Sequence, residues 1–441
     1  MASKNPTKTK TQTPLGGEDR IAIIDGVRTP FAKAWTVYED WNEADLGRVA
    51  VRELVERSEI DPELIDDLVM GCVSAPMNGP NVAREIVLRT PLARTIPAYT
   101  VQMYCASSAL AAVNAAGDLL MGGADVAIAG GVESMSAAQA RVSLPLTQAL
   151  NDAANAKSPV EMLQAFKDVE PQDLLPDIPS IKEPTTGDRM GDSGEKMAKK
   201  YGISQREQDE YAAMSHHRAA AAQEEGRFPE VTPVLTGDEH DEPVENDTMV
   251  RADTSAEKME GLSPAFDKKH GSLTAANSSP LTDGASAVLL MRESTARELG
   301  YEPQAYIRSW ATTGVDLFEM PMLMGPTFAT PKALARGDVE LDEMGLIEMH
   351  EAFAAQILAN LKVWQSDELC RELGLDARIG EVDMDIFNVN GGSIPIGHPF
   401  GATGGRMIMQ LAGEMQRRDQ HLGLLTLCAA GGLGLSMVLE R

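Results

Sequence analysis

The sequence predicts an α/β protein made of two similar halves, with a polar segment inserted before the first half is complete. Short apolar runs alternate with segments whose apolar residues recur every three or four positions. This alternation indicates strands and helices built around a parallel sheet. The pattern occurs twice, which suggests an internal duplication. The stretch between the two occurrences is polar and scattered with Pro, Asp and Lys.

These shifts in composition divide the 441 residues into four parts, in keeping with the two or three domains expected at this length. Residues 1–19 are Lys/Thr-rich and are expected to form a disordered tail. Residues 20–140 and 275–296 form the N-terminal half, and 297–441 form the C-terminal half. Residues 141–274 form an inserted loop domain.

The elements follow from apolar spacing. The helix predicted over 107–121 is almost uniformly small and apolar, which favours burial on most of its sides. In the N-terminal half, strands are predicted at 20–27, 65–72, 98–102 and 125–129, and helices at 46–58, 82–88 and 107–121. Helices at 193–201 and 204–225 lie in the insertion, and an apolar run at 281–291 follows it. The C-terminal half has strands at 304–311, 386–390, 423–428 and 433–440, the last two paired, and helices at 331–336 and 352–364.

The charge balance restricts the partners. Lys+Arg 39 against Asp+Glu 66 gives a net charge of −27, which disfavours nucleic acid and anionic membrane. No apolar run reaches the roughly 18 residues of a membrane span, and the N-terminus has no secretory pattern. The four cysteines show no CxxC spacing, so neither a zinc site nor a disulfide framework is predicted, and a cytoplasmic location is expected.

Two residues stand out as a candidate nucleophile and base. Cys105 lies between a short strand and the buried helix, where the helix N-terminus would favour the thiolate. For an isolated cysteine, however, simple core packing is the commoner role. His398 lies in the Gly-rich segment 397–405, and imidazole is the usual base that activates a thiol.

Two further residues are candidates. Cys428 ends an apolar strand before an Ala-Ala-Gly-Gly turn, where a second thiol could shuttle a proton beside exposed backbone N–H groups. His350 opens the segment His-Glu-Ala-Phe, and it could donate a hydrogen bond to a developing oxyanion. Core packing is the alternative for Cys428, and helix capping is the alternative for His350.

Taken together, these segments resemble the thiolase family. Any one of them is weak evidence, but seven in the family's order are specific, and they extend from about residue 20 to the C-terminus. They are 25–31 (DGVRTPF), 105–108 (CASS), 130–136 (GGVESMS), 274–279 (TAANSS) with 283–285 (DGA), 350–353 (HEAF), 397–405 (GHPFGATGG), and Cys428 with its Gly-rich turn.

The resemblance implies a thiolase fold, in which two duplicated halves form a layered α-β-α-β-α core. It implies that Cys105 attacks the 3-keto carbon of an acyl-CoA while His398 takes its proton, and that Cys428 exchanges protons with the enolate and with CoA. His398 and a water held by His350 would face the enolate oxygen. Backbone N–H groups of Cys105 and Ala430 would form the oxyanion hole, although the family more often has Gly at position 430.

The family's substrates would be CoA and acyl-CoA, with no separate cofactor and no metal. Arg251 and Ser279 fall at family positions near CoA, and Arg251 would supply positive charge that an acidic chain otherwise lacks. A solvated surface arginine is the alternative. The relatives are homodimers or homotetramers.

Within the family, His350 and the run 356–360 resemble the 3-ketoacyl-CoA thiolases of fatty-acid β-oxidation complexes. The resemblance therefore also implies a partner subunit with hydratase and dehydrogenase activities as one form of assembly. In those relatives the segment 144–184 reaches a partner or membrane, but here it is acidic, so contact with anionic lipid is not expected. An acetoacetyl-CoA thiolase working in the condensing direction and a non-enzymatic scaffold subunit remain alternatives. Cys428 argues against a third, the ketoacyl synthases.

Overall fold

The structure is a computed structural model that describes residues 19–176, 182–237 and 242–441. Within these residues the strands are β1 (Ile21–Arg28), β2 (Ala32–Lys33), β3 (Asp67–Gly71), β4 (Ala98–Val101), β5 (Val126–Glu133), β6 (Val234–Thr236), β7 (Glu242–Val244), β8 (Thr282–Arg292), β9 (Ala305–Gly314), β10 (Leu346–Met349), β11 (Leu422–Ala429) and β12 (Leu433–Glu440).

The helices in the same residues are α1 (Glu43–Ser58), α2 (Val82–Leu88), α3 (Ser107–Met121), α4 (Leu144–Ala154), α5 (Pro159–Gln164), α6 (Met190–Tyr201), α7 (Gln205–Glu224), α8 (Ala256–Met259), α9 (Glu293–Leu299), α10 (Gly325–Gly337), α11 (Ala354–Trp364), α12 (Asp367–Glu372), α13 (Ser393–Ile396) and α14 (Thr403–Arg418). None of them is both long and apolar enough to cross a bilayer. Of the expected tail, residues 1–18 lie outside the described residues, and Asp19 accepts a hydrogen bond from the backbone of Ser294.

The main sheet is mixed, so the prediction of a parallel sheet is wrong in part. Its order is β10-β11-β12-β9-β1-β8-β5-β3-β4, with β2 added against β8. The pairs β3–β4, β3–β5 and β10–β11 are parallel, whereas β8 and β12 run antiparallel to their neighbours. The tight turn between β11 and β12 explains one reversal, because a short connection joins only antiparallel strands.

The strand order repeats, which supports the predicted duplication. In the N-terminal half it is β4-β3-β5-β8-β1, and in the C-terminal half it is Phe387-β10-β11-β12-β9. The strand predicted at 386–390 is wrong, because only Phe387 makes an isolated parallel bridge, to Ile347. Asn388 then takes a φ of 42°, and its side chain bonds the backbone of Met349, so the chain turns away from the sheet.

The two halves of the sheet enclose α3 and α14. Alternate strand residues point inward and pack against these two helices in one cluster, among them Ile23, Leu290 and Leu427. The opposite face of the N-terminal half is covered by α1 and α2, and that of the C-terminal half by α10 and α11. The layers therefore follow the predicted order α-β-α-β-α.

Two boundaries differ from the prediction for identifiable reasons. Strand β5 runs on through Gly130 and Gly131 to Glu133, because glycine lets a neighbouring chain approach closely: a Cβ on Gly131 would lie 1.9 Å from the carbonyl oxygen of Gly401. Helix α10 begins six residues before its predicted start, with Pro326 in its first turn and Pro331 inside it.

Candidate active site

Cys105 lies in a strained turn directly before α3. The turn is a 3-10 helix, Tyr104–Ala106, and Tyr104 takes a φ of 48°, which is unusual for a residue with a side chain. Ser107 braces it: its hydroxyl accepts the N–H of Met103 at 2.9 Å and donates to the carbonyl of Tyr104 at 2.6 Å. This bracing fixes the half-buried Cys105 at the head of the central helix.

His398 is held in one tautomer by Thr403. The Thr403 hydroxyl donates to the carbonyl of Pro399 at 3.0 Å, so it must accept from Nδ1–H of His398, 2.7 Å away. The backbone N–H of His398 donates to the hydroxyl of Thr282 at 2.7 Å. Nε2 of His398 therefore carries a free lone pair, which is the form required of a base.

His350 follows β10 and lies against His398, with the ring centroids 4.1 Å apart. Its Nδ1 is 2.9 Å from the hydroxyl of Ser393, which also accepts a bond from Arg406 at 3.3 Å. The Ser393 hydroxyl still has its proton and a second lone pair, so it can donate to Nδ1 and leave Nε2–H of His350 as a donor. In both imidazoles Nε2 is buried and has no hydrogen-bond partner among the described residues.

The fold brings three of the predicted residues together. The sulfur of Cys105 and a ring nitrogen each of His350 and His398 all lie within 4.8 Å of one another. Cys428 lies near the end of β11 and is fully buried, and it is close enough to Cys105 that Cys105 adds to the rise in the pKa of the Cys428 thiol. A nucleophile, two imidazoles and a second thiol thus converge from four separate segments.

Both kinds of group are uncharged at neutral pH. Burial raises the pKa of Cys105 to about 12, although N–H groups of Ala430 and of Cys105 itself oppose the rise. The N–H groups at the helix start favour the thiolate, as expected, but the cost of burying the charge exceeds their stabilisation, so the thiol is the preferred form. Burial, then the charge of Arg406, lowers the pKa of His398 to about 3. Burial, followed by the neighbouring His398 and then by Arg406, holds the pKa of His350 well below its ordinary value. The resting state is therefore thiol and neutral imidazole.

The two backbone groups predicted to form an oxyanion hole lie beside the nucleophile. The backbone N–H groups of Ala430 and Cys105 both oppose the rise in the pKa of the Cys105 thiol, which indicates that they act on its sulfur. Ala430 begins the 3-10 turn between β11 and β12, and Gly431 and Gly432 complete it with φ angles of 71° and 68°. These left-handed angles favour glycine, which explains the Gly-Gly pair.

Three buried charged residues that were not singled out in the sequence position these groups. The first is Glu133, which accepts the N–H groups of Val73, Ser74 and Gly401 at 3.1, 2.8 and 2.9 Å. It also accepts the hydroxyl of Ser74. Because Gly401 follows His398 in its loop, this carboxylate ties the loop to the end of β5.

The second is Glu351, which fastens the His350 segment to two other parts of the chain. Its carboxylate accepts Tyr211 at 2.8 Å and Ser215 at 2.9 Å, both from α7, together with Asn388 at 2.9 Å and the N–H of Ile394 at 3.1 Å. The insertion is thus anchored to the loop that supports the imidazoles.

The third is Arg406, in the first turns of α14 and fully buried. It lies 3.5 Å from the carboxylate of Glu348 and 2.8 Å from the side-chain oxygen of Gln410. Burial raises the pKa of Glu348 to about 7, and Arg406 opposes that rise. Of these three residues, Glu133 had a signal in the sequence, because it is a charged residue inside an otherwise apolar segment. Its hydrogen-bond partners depend entirely on the fold and were not predictable.

The two residues expected near CoA lie in different surroundings. Ser279 is half-buried, and its N–H donates to the carbonyl of Ala352 at 3.0 Å. Flanking bridges from Ser278 to Phe353 and from Leu281 to His398 place it beside the imidazoles. Arg251 is on the surface, where its backbone N–H donates to Nδ1 of His216 at 3.2 Å.

A thiol beside two neutral imidazoles, at the junction of two duplicated α/β halves, defines a class of enzymes that transfer acyl groups. Comparison with known proteins identifies the family. Residues 21–294 match the thiolase N-terminal domain and residues 301–441 match the thiolase C-terminal domain. The chain belongs to the thiolase family, as the resemblance in the sequence predicted, and it is an acyltransferase.

Similar proteins and structures agree. The chain is 49% identical over 423 residues to the 3-ketoacyl-CoA thiolase of Yersinia enterocolitica, covering 96% of this chain and 97% of that one. The crystal structure of the Bacillus anthracis acetyl-CoA acetyltransferase aligns with a TM-score of 0.81 and 30% identity, covering 98% of this chain and 100% of that one. Human mitochondrial 3-ketoacyl-CoA thiolase in complex with CoA aligns with a TM-score of 0.81 and 27% identity, over 98% and 99% of the two chains.

Proposed function

We propose that this enzyme is an acetyl-CoA C-acyltransferase that cleaves 3-ketoacyl-CoA with CoA, in the degradative direction of fatty-acid β-oxidation. The products are acetyl-CoA and an acyl-CoA two carbons shorter. The observation that carries the proposal is the convergence of Cys105, His350 and His398 within 4.8 Å, with free Nε2 atoms on both imidazoles. The 49% identity to 3-ketoacyl-CoA thiolases supports the choice of reaction.

In the first half-reaction the sulfur of Cys105 attacks C3 of the substrate while Nε2 of His398 takes the thiol proton. The C2–C3 bond then breaks, which leaves an acyl group on Cys105 and the enolate of acetyl-CoA. The thiol of Cys428 protonates that enolate at C2. Since Cys105 and His398 are both neutral at rest, the proton moves only as the sulfur attacks.

In the second half-reaction the thiolate of Cys428 takes the proton of an incoming CoA thiol. The CoA sulfur attacks the acyl carbon, and the sulfur of Cys105 leaves and recovers its proton from His398. Cys105, His398 and Cys428 thereby return to their starting protonation states, with the proton of CoA replacing the one that Cys428 gave to acetyl-CoA, and no separate cofactor is required.

Two sets of donors stabilise the negative oxygens that form. The protonated Nε2 of His398, together with a water held by Nε2–H of His350, faces the enolate oxygen. The N–H groups of Cys105 and Ala430 face the oxygen of each tetrahedral thioester intermediate, and their lowering effect on the pKa of Cys105 supports this role. Loss of one such donor typically costs about 10²–10³ in rate.

CoA itself is bound by Ser279 near the reacting sulfur and by Arg251 toward the surface. The position of Ser279 beside the imidazoles supports contact with the thiol end of CoA. The guanidinium of Arg251 supplies the local positive charge that a polyanionic ligand requires on a chain of net charge −27.

The decisive test is mass spectrometry of the protein after incubation with an acyl-CoA. Wild type should gain one acyl group on Cys105, and Cys105→Ala should gain none. Cys370→Ser is a matched control, because this buried cysteine lies outside the site and should leave the acylation unchanged. An unmodified Cys105 in folded wild type would favour the scaffold alternative and refute the proposal.

An acetoacetyl-CoA thiolase acting in the condensing direction is the second candidate, supported by the similarity to the Bacillus anthracis acetyl-CoA acetyltransferase. It would use the same residues, so turnover of acetoacetyl-CoA against a 3-ketoacyl-CoA of ten or more carbons separates the two. Absence of turnover on the longer chain would exclude the degradative assignment.

We also propose the assembly and location expected from the family. The chain forms a homodimer or homotetramer, with a hydratase and dehydrogenase subunit as a possible partner, in the cytoplasm, where its four free thiols stay reduced. We propose the same domain organisation as the sequence predicted: an N-terminal half at residues 20–140 and 275–296, an inserted loop domain at 141–274 and a C-terminal half at 297–441. Light scattering tests the oligomeric state.

A further inference from the structure

The three converging side chains are also the donor set that zinc prefers. Zn²⁺ binds cysteine sulfur and histidine nitrogen, usually with four ligands in a tetrahedron. Cys105, His350 and His398 each offer one such atom, all within 4.8 Å of one another. Cysteine spacing did not reveal this set, because its members lie far apart in the chain and only the fold brings them together.

Two features of the imidazoles fit coordination. In each ring Nε2 is buried without a hydrogen-bond partner among the described residues, so it is available to a ligand. In each ring Nδ1 is held by a hydroxyl, Thr403 at 2.7 Å and Ser393 at 2.9 Å. Metal-binding histidines characteristically have their second nitrogen held in this way, which fixes the orientation of the ring.

The change of geometry that coordination requires is small. With zinc–sulfur and zinc–nitrogen bonds of about 2.3 and 2.0 Å, neighbouring ligand atoms in a tetrahedron are roughly 3.3–3.6 Å apart. Starting from separations within 4.8 Å, the three atoms would therefore draw together by up to about 1.5 Å. His350 must also bind through its other tautomer, in which Nδ1–H donates to Ser393 while that hydroxyl still accepts from Arg406.

The surrounding charge permits a cation. Arg406 is the nearby positive group, but it is paired with Glu348 at 3.5 Å. Glu133 is a fully buried negative group that accepts the N–H of Gly401, in the loop of His398, at 2.9 Å. Coordination also converts the thiol into a thiolate, which compensates one of the two charges of the ion.

We propose that one Zn²⁺ binds reversibly to Cys105, His350 and His398 and inhibits the enzyme. The ion replaces the thiol proton, which is released to solvent, and a zinc–sulfur bond forms without any oxidation or reduction. The sulfur is then unable to attack a substrate, and Nε2 of His398 is unable to accept a proton. Three protein ligands leave the fourth position open for water or an added thiol.

The test measures binding directly, by titrating ZnCl₂ into the full-length protein without CoA, since CoA itself binds zinc. Wild type should show one tight site per chain, above the weak background of an acidic surface. Cys105→Ser and His398→Ala should each lower the affinity for zinc by at least about 100-fold. Loss of a residue that only positions a ligand typically lowers the affinity by about 10–100-fold. Two matched controls outside the cluster, Cys370→Ser and the exposed His270→Gln, should bind as wild type does.

Replacement by CoCl₂ provides a spectroscopic signature. Cobalt bound to a thiolate gives a charge-transfer band in the near ultraviolet, which should appear in wild type and be lost in Cys105→Ser. Tight zinc binding that survives Cys105→Ser, or no tight site in wild type, would overturn the proposal. The acylation experiment contains no zinc, so failure of metal binding and failure of the proposed function give separate results.

Discussion

Substitution of Gly131 by alanine tests how closely the catalytic loop must approach the sheet. Gly131 lies in β5, facing the loop that carries His398. A Cβ at this position would lie 1.9 Å from the carbonyl oxygen of Gly401, 2.7 Å from its carbonyl carbon and 2.9 Å from the Cβ of Ser108. Two of these three contacts involve backbone, which cannot rotate aside as a flexible side chain can.

The size of the effect follows from these distances. A carbon and a carbonyl oxygen normally stay more than about 3 Å apart, so the loop or the strand must shift by roughly 1 Å. Such overpacking costs about 1–3 kcal/mol of unfolding free energy. A displacement of about 1 Å in a group near the reaction can cost about 10² in rate. We therefore expect Gly131→Ala to lose both stability and most of its activity.

The assays are urea unfolding and the steady-state rate of thiolysis. Gly117→Ala is the matched control, because Gly117 lies inside α3 with nothing within 4 Å of its added Cβ. Alanine there should stabilise the protein by about 0.5–1 kcal/mol and leave the rate unchanged. If Gly131→Ala matched wild type in both assays, the close packing of the His398 loop on β5 would be refuted.

Four further predictions follow from the site. His398→Ala should slow alkylation of Cys105 by iodoacetamide at neutral pH by at least about 10²; a rate equal to wild type would contradict its role as base. Glu351→Gln should lower the unfolding free energy in urea by about 2–3 kcal/mol, since four donors lose a charged acceptor; an unchanged midpoint would contradict the anchoring. Burial holds the pKa of His216 at about 4, below its unfolded value of about 6.5. Protonation therefore favours the unfolded chain, and the protein loses stability as the pH falls from about 6.5 to about 4. The unfolding free energy of His216→Gln should therefore rise by about 2 kcal/mol relative to that of wild type as the pH falls from about 6.5 to about 4.5. An equal pH dependence of the unfolding free energy in the two proteins would contradict the lowered pKa of His216. Arg251→Ala should raise KM for CoA about 10-fold with little change in kcat, and Lys should rescue part of the loss; an unchanged KM would exclude contact with CoA.

Local patterns in the sequence predicted much of the fold. Helices α2 and α3 begin and end where the spacing of apolar residues indicates, because helix boundaries depend on nearby residues. The direction of β8 was not predictable, since it returns to the sheet after a long insertion and its partners lie far away in the chain. The strand predicted near Phe387 failed because Asn388 bonds Met349, a contact that only the folded chain provides.

The sequence predicted the reactive side chains of the candidate site, but it did not predict the buried residues that hold them in place. Motifs pointed to Cys105, His350, His398 and Cys428, and the fold brings all four into one neighbourhood, while their roles remain a proposal. The net rise in the pKa of Cys105 was not predicted, because the sequence shows the helix start, which lowers that pKa, but not the burial that raises it further. Glu351 was overlooked as an anchor, since its partners come from α7 and from the loop after Phe387.

The repeated strand order also relates the nucleophile to its base. Cys105 lies in the loop that leads into α3, and His398 lies in the corresponding loop that leads into α14. The two loops hold equivalent positions in the repeated order, yet one carries a thiol and the other an imidazole. Neither repeat alone supplies both members of the pair, so the pair forms only where the two repeats pack together.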